Sequence, residues 1–432
     1  MTRTEERLAD ALRASAGRVR DERLRPLPAP EPRAGRHAAH RRAIRAWLTP
    51  LAAAASVVLV IGLVLALTGH RKPASPPAPP STEVTSLPRY FAAVSEFGGG
   101  NRSSVGVYAA STGQQVANAV TPVVPGWTLG PVTVAAAPDD RTFYVEYEAT
   151  HESASSYVAQ VWIYRFRITG SGQAPVMTRI SGGVLTGAAG IEGIASLAVS
   201  PDGTMLALTA DTTIGLGSGA RGYADKVVVI DLLTGQRSVW QGGLYRTGQV
   251  FVIPSLSWAP RGSSLVYLAL WCNPPAASNP CTGTAGQDGY RDTQVRSLSP
   301  ASRGGSLNSG ALLLNQPARY PVIAAAIAGP DGVDLTLVVL SGHVNASGQW
   351  SRVGVEDVAA GSGALLRVDY SSPTTAYEGQ PRGVFLSADP TGRSLLLSYQ
   401  TVTGQVSGWI SQGRFHLLPI SMPGPDFLLA AW

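Results

Sequence analysis

Residues 197–210 read LAVSPDGTMLALTA. An apolar run enters a Pro-Asp-Gly turn at 201–203, and a second apolar run leaves it. Proline presets φ for the first corner of such a turn, and glycine accepts the positive φ that follows. The flanking runs have the length and apolarity of buried strands. Four further segments repeat this pattern: VTVAAAPDDRTFYVEYE (132–148), LSWAPRGSSLVYLAL (256–270), AAAIAGPDGVDLTLVVL (324–340) and VFLSADPTGRSLLLSYQ (384–400). The turn prolines Pro138, Pro201, Pro260, Pro330 and Pro390 stand 63, 59, 70 and 60 residues apart. One interval held this closely marks a repeat architecture.

A second signal lies between the turns. SSVGVYAASTGQQV (103–116) and DKVVVIDLLTGQRSVW (225–240) each read as strand, Thr-Gly turn, strand. Each unit of roughly 60 residues is therefore expected to hold four antiparallel strands, the content of one propeller blade. The longer stretches near 147–157, 211–224 and 272–292 are expected to be loops at the blade ends. Ahead of the first full unit, RYFAAVSE (89–96), SSVGVYAA (103–110) and QVANAVTP (115–122) supply three strands without a leading one, and PDFLLAAW (425–432) supplies a leading strand without its turn. Joining the two makes a sixth blade and removes the open sheet edges of a linear array. The predicted fold is all-β: a six-bladed β-propeller over 89–432, closed by a C-terminal strand at 426–432.

These motifs resemble the TolB-like and WD-repeat-like propellers, and KVVVIDLLTGQ is similar to the YVTN-type repeat. The resemblance covers about residues 88–432 and implies the fold. Such folds host binding proteins, enzymes and scaffolds alike. The Trp-Asp dipeptide of eukaryotic WD repeats does not occur.

Composition agrees with a β-rich chain. Of 432 residues, 48 are Gly and 32 Pro, 14% are charged and 44% hydrophobic. This excludes a coiled coil, and the apolar content is enough to build a core. Residues 1–72 carry 14 basic and 6 acidic side chains, whereas residues 73–432 carry 20 and 22. The large part thus lacks the cationic excess that phosphate backbones require, and no nucleic-acid partner is expected.

The basic end has its own logic. LAAAASVVLVIGLVLALT (51–68) contains no charge, and with its flanks the run 47–69 is long enough to cross a bilayer. Trp47 suits the headgroup layer. About 46 residues precede the run and no A-x-A site follows it, so it reads as an uncleaved signal anchor. Arg33, Arg36, Arg41, Arg42 and Arg45 before it outnumber Arg71 and Lys72 after it. The positive-inside rule then places residues 1–46 in the cytoplasm and the propeller outside, in a single-pass plasma-membrane protein. Residues 70–88, with Pro73, Pro76, Pro77, Pro79 and Pro80, read as a semi-rigid spacer.

In the head, TEERLADALRASAGRVRDERL (4–24) sets Leu8, Leu12 and Val19 on one helical stripe, a candidate partner-docking face, and Pro26 and Pro28 end it. Head, span and spacer together resemble single-span actinobacterial anti-sigma factors. That resemblance implies an alternative function, transmembrane regulation through a docked cytoplasmic partner. The zinc-binding form of that family uses His-x3-Cys-x2-Cys, and residues 1–48 hold no cysteine.

No catalytic constellation emerges in the propeller. His151, His343 and His416 fall in different blades and in no zinc-ligand spacing. No G-x-S-x-G elbow and no sialidase box occurs. Asp139, Asp140, Asp202 and Asp331 are assigned to the turns themselves, and Asp288 and Asp292 to a solvated loop. Cys272 and Cys281, in WCNPPAASNPC, are expected to form a disulfide outside the membrane. The resulting expectation is a non-catalytic binding or sensing module without cofactor or metal, recognising an envelope protein, peptide or glycan.

Overall fold

The computed structural model describes residues 87–95, 104–153, 156–169, 174–186, 196–215, 221–242, 250–261, 263–272, 290–317, 320, 322–344, 350–373, 384–401, 404–418 and 428–432. They all lie in one compact unit, 84–432. The head with Leu8, Leu12 and Val19, the apolar run 47–69 and the body of the spacer lie outside the described residues, as do Cys281 and the Cys272 side chain. Among the described residues no helix is long and apolar enough to cross a membrane.

The described residues hold 25 strands, numbered in chain order, in six sheets. Blade 1 contains β1 (Tyr90–Ser95), β2 (Ser104–Ala109) and β3 (Gln115–Val120), with β25 (Leu428–Ala431) as its innermost strand. Blade 2 is β4 (Thr128–Ala136), β5 (Thr142–Ser153), β6 (Ser156–Arg167) and β7 (Thr178–Thr186). Blade 3 is β8 (Leu197–Val199), β9 (Met205–Gly215), β10 (Arg221–Asp231) and β11 (Arg237–Gln241). Blade 4 is β12 (Val250–Trp258), β13 (Leu265–Cys272), β14 (Tyr290–Leu298) and β16 (Ala311–Asn315). Blade 5 is β17 (Val322–Ala328), β18 (Leu335–Val344), β19 (Trp350–Val358) and β20 (Leu365–Ser371). Blade 6 is β21 (Val384–Ala388), β22 (Ser394–Thr401), β23 (Gly404–Ser411) and β24 (Arg414–Leu417).

The ring closes as the repeat count requires. β25 pairs antiparallel with β1, with Ala92 opposite Ala431 and Ser95 opposite Leu428. Strand alternation then builds the core. Successive side chains point to opposite faces, so each blade feeds two seams. Phe143, Val145 and Tyr147 of β5 pack towards blade 1, whereas Tyr144 packs towards blade 3. Six apolar clusters fill the six seams, the last joining Phe91 and Trp432 of blade 1 to Leu396 of blade 6.

The turn chemistry is local and polar. The Asp202 carboxylate accepts the Thr204 N–H at 3.0 Å and the Ser200 hydroxyl at 2.5 Å. Asp331 accepts the Val333 and Asp334 N–H groups, and Asp139 those of Arg141 and Thr142. Asp140 departs from this assignment. It occupies the position of Gly203 (φ 72°) with φ 56°, and its carboxylate leaves the turn to bond the backbone of Arg89 and Tyr90.

Two expectations are corrected. The stretches near 147–157 and 211–224 are largely paired strand rather than loop: β5 and β6 stay in register to Ser153–Ser156, and β9 and β10 to Gly215–Arg221. Their polar sequence hides the pairing, yet the backbone ladder runs on through them. Blade 3 also has a fifth strand. β15 (Gly305–Ser306), from the β14–β16 connection of blade 4, pairs parallel with β11, placing Gly305 opposite Trp240. Leu307 beside it is fully buried and its carbonyl accepts the Tyr267 hydroxyl at 2.5 Å.

Candidate functional site: the central channel and its mouths

The innermost strands β4, β8, β12, β17, β21 and β25 surround the axis and leave a cavity of about 130 Å³. Its wall is made of apolar residues from alanine to Trp258, Phe385 and Trp432, of hydroxyls and of turn prolines, Pro138, Pro201, Pro260 and Pro390 among them. Inner strands present an unpaired backbone edge to the axis, and those groups need partners. Serine side chains supply several. Ser196 Oγ accepts the Leu256 N–H at 2.8 Å, Ser255 Oγ the Ala326 N–H at 3.0 Å, and Ser257 Oγ the Ala328 N–H at 2.9 Å. The Trp258 indole donates to the Ala198 carbonyl at 3.0 Å. These bonds tie blade 3 to blade 4 and blade 4 to blade 5.

The chemistry left in the channel is neutral. The one acid among the described wall residues, Asp389, is committed to its own turn, accepting the Arg393 and Ser394 N–H groups at 2.8 and 2.9 Å. Trp432 reaches the wall with its ring edge-on to Phe91, centroids 6.3 Å apart, and its indole N–H is buried without a partner among the described residues. Such a lining suits water or a small neutral group.

The two mouths differ. One is ringed by the Pro turns, and there the chain enters blade 1 at Arg89. At the other, the β5–β6 and β9–β10 extensions project, and Trp127 lies tilted between Trp162 and His151, at 5.0 and 5.4 Å.

The histidines are not brought together. His151 in blade 2 contacts the Gly126 carbonyl, and His416 in blade 6 stacks on Trp409 at 3.8 Å. Asp292 stands on β14 opposite Trp271, in a paired strand and not in the expected loop; its side chain, that of His343 and all of Asp288 lie outside the described residues. Among the described residues no group of three or more His, Cys, Asp and Glu is placed to hold a metal ion.

No family model and no curated protein matches the chain. Solved structures similar to it include the tricorn protease, at 9% identity over 77% of this chain and 31% of that one (TM-score 0.39). The Dos1 propeller is similar at 11% identity over 75% and 68% (TM-score 0.33), and Trypanosoma rangeli sialidase at 11% over 69% and 49% (TM-score 0.40). The blade count rests on the strand pairing above. By that pairing the described chain is a six-bladed β-propeller.

Proposed function

We propose that the protein is a single-span membrane protein that displays its propeller outside the cytoplasm as a non-catalytic binding module for an envelope protein, peptide or glycan. The observation that carries this reading is the channel: a closed ring whose described lining is mostly apolar and hydroxyl side chains, several of them spent on holding blades together, with Asp389 spent on its own turn. That leaves the mouths as the surfaces available for recognition, in keeping with rim residues on a rigid scaffold. The uncharged run 51–68 and the arginines before it support the anchor. The described chain enters the ring at Arg89 on the Pro-turn side, and the hairpin mouth is the proposed recognition surface.

Protease added to intact cells tests the topology. The propeller should be lost from the membrane while residues 1–46 are protected; protection of the propeller contradicts the reading. Cross-linking of the full chain then separates binding from regulation. A partner retained after removal of residues 1–46 supports the binding module, and one lost with that head supports the anti-sigma-type alternative.

A further inference from the structure

Eight residues after the turn proline, the five full blades carry Glu146, Thr209, Leu268, Val338 and Ser398. All five positions are buried, Glu146 at 0% exposure. Four of these side chains suit an interior. The hydroxyl of Thr209 accepts the Ser196 N–H at 2.9 Å, and that of Ser398 bonds Ser407 at 2.6 Å. Glu146 alone brings a carboxyl group, and neither oxygen has a hydrogen-bond partner among the described residues.

Its surroundings explain the isolation. In the ladder Glu146 lies between Thr133 of β4 and Ile163 of β6. Alternation puts it on the face of Tyr144, which packs on Leu206, Leu208 and Ile230 of blade 3. The seam is therefore apolar. An ionised carboxylate there would be charged, desolvated and unpaired, among the costliest states a protein interior can hold.

Charges nearby do not relieve it. The strands β4 and β8 bring no titratable side chain. Titratable groups on the other packed elements include Tyr144, Tyr147 and Glu148 on β5, Tyr164, Arg165 and Arg167 on β6, and Asp225, Lys226 and Asp231 on β10. Those that act on Glu146 are Glu148 and Asp225, both like charges. Burial first, and these two carboxylates after it, hold the Glu146 carboxyl well above the usual glutamate range. Asp225 is itself committed, accepting the Ile253 N–H of blade 4 at 2.5 Å.

We propose that Glu146 sits in the seam between blades 2 and 3 as the neutral acid and makes this seam the proton-sensitive joint of the ring, closed while the proton is bound and loosened when it leaves. The sign follows from linkage. A carboxyl raised in the folded state leaves stability intact at or below the ordinary glutamate range. That stability is lost as pH rises towards the raised value. At the matching position the other four full blades carry a hydroxyl or an aliphatic side chain, which has no proton to lose there. The joint is independent of whatever the propeller binds.

Thermal unfolding of the full chain between about pH 5 and about pH 9 tests the joint in wild type, Glu146→Gln and Glu146→Leu, the last copying Leu268 of blade 4. The wild-type Tm is expected to fall by at least ~3 °C more than that of either variant across this range, since neither replacement has a proton to lose on that face. Hydrogen exchange should place the loss at β5 and β9 and not at the blade 4–5 seam. Parallel pH curves for all three proteins overturn the proposal. So does a rise in wild-type Tm on adding calcium chloride at about pH 8 that E146Q lacks, because the carboxylate would then be a cation ligand.

Discussion

Asp140 accepts the backbone N–H of Arg89 at 2.5 Å and that of Tyr90 at 3.2 Å, fastening the chain's entry into blade 1 to the turn of blade 2. The other turns spend their aspartates internally, so this bond is an addition to the repeat. It holds the start of β1, the strand that pairs with β25 to close the ring. Its cost is a left-handed backbone at a non-glycine residue, φ 56°.

Replacing Asp140 separates the two effects. D140G relieves the backbone but removes a charged acceptor from two N–H groups, with an expected loss of about 1–3 kcal/mol. D140A should lose roughly 1 kcal/mol more, because alanine resists the positive φ. Denaturant midpoints of the full chain should rank wild type above D140G and D140G above D140A. A D140A protein as stable as wild type would show that the bonds to Arg89 and Tyr90 contribute nothing.

Acid should loosen the turns in a defined window. The Ser200 hydroxyl and the Thr204 N–H hold Asp202 below the usual carboxylate range, and the Asp334 and Val333 N–H groups do the same for Asp331. For Asp139 burial acts upward, yet the Thr142 and Arg141 bonds outweigh it and the net direction is also down. Groups lowered in the folded state give stability that is complete above the ordinary aspartate range and is lost as pH falls through the lowered values. Asp202→Asn combined with Asp331→Asn should flatten the acid limb of a Tm-against-pH curve. An unchanged acid limb would remove these turns from the account.

The strap from blade 4 to blade 3 should be separable from the rest of the ring. At Gly304, φ 114°, an added Cβ would lie 2.7 Å from the Val239 carbonyl oxygen, so G304A cannot keep β15 against β11. Leu307→Ala empties a fully buried site and should cost about 2–5 kcal/mol. Both variants should speed hydrogen exchange at β11 while leaving β20 of blade 5 unchanged. Equal exchange at both strands would contradict a specific strap.

The blade pattern was legible because the turn needs particular residues at fixed places and the apolar runs beside it must be buried. The sixth blade was legible too, since FLLAA in 427–431 matches the leading strands elsewhere. What escaped was structure without an apolar signature. The β5–β6 and β9–β10 extensions are polar in sequence and read as loops, although the backbone stays paired through them. The strap hides in the 70-residue interval between Pro260 and Pro330 as a short Gly-Ser stretch. Asp140 looked like any turn aspartate because its partners, Arg89 and Tyr90, lie about fifty residues earlier. Glu146 sat in plain view in FYVEYE, where strand alternation gives no hint that a neighbouring blade covers its face. The serine tethers of the channel were invisible for the same reason: they bond across blades.

Ring closure through β25 is tested most directly by calorimetric unfolding of the full chain with and without residues 428–432. Removal takes away the pairing of Ala92 with Ala431 and the buried Trp432 ring against Phe91. Losing a buried tryptophan alone costs about 3–5 kcal/mol. The closed propeller predicts a lower Tm, with fast hydrogen exchange appearing first at β1 and β22. An unchanged Tm with β1 equally protected would contradict it.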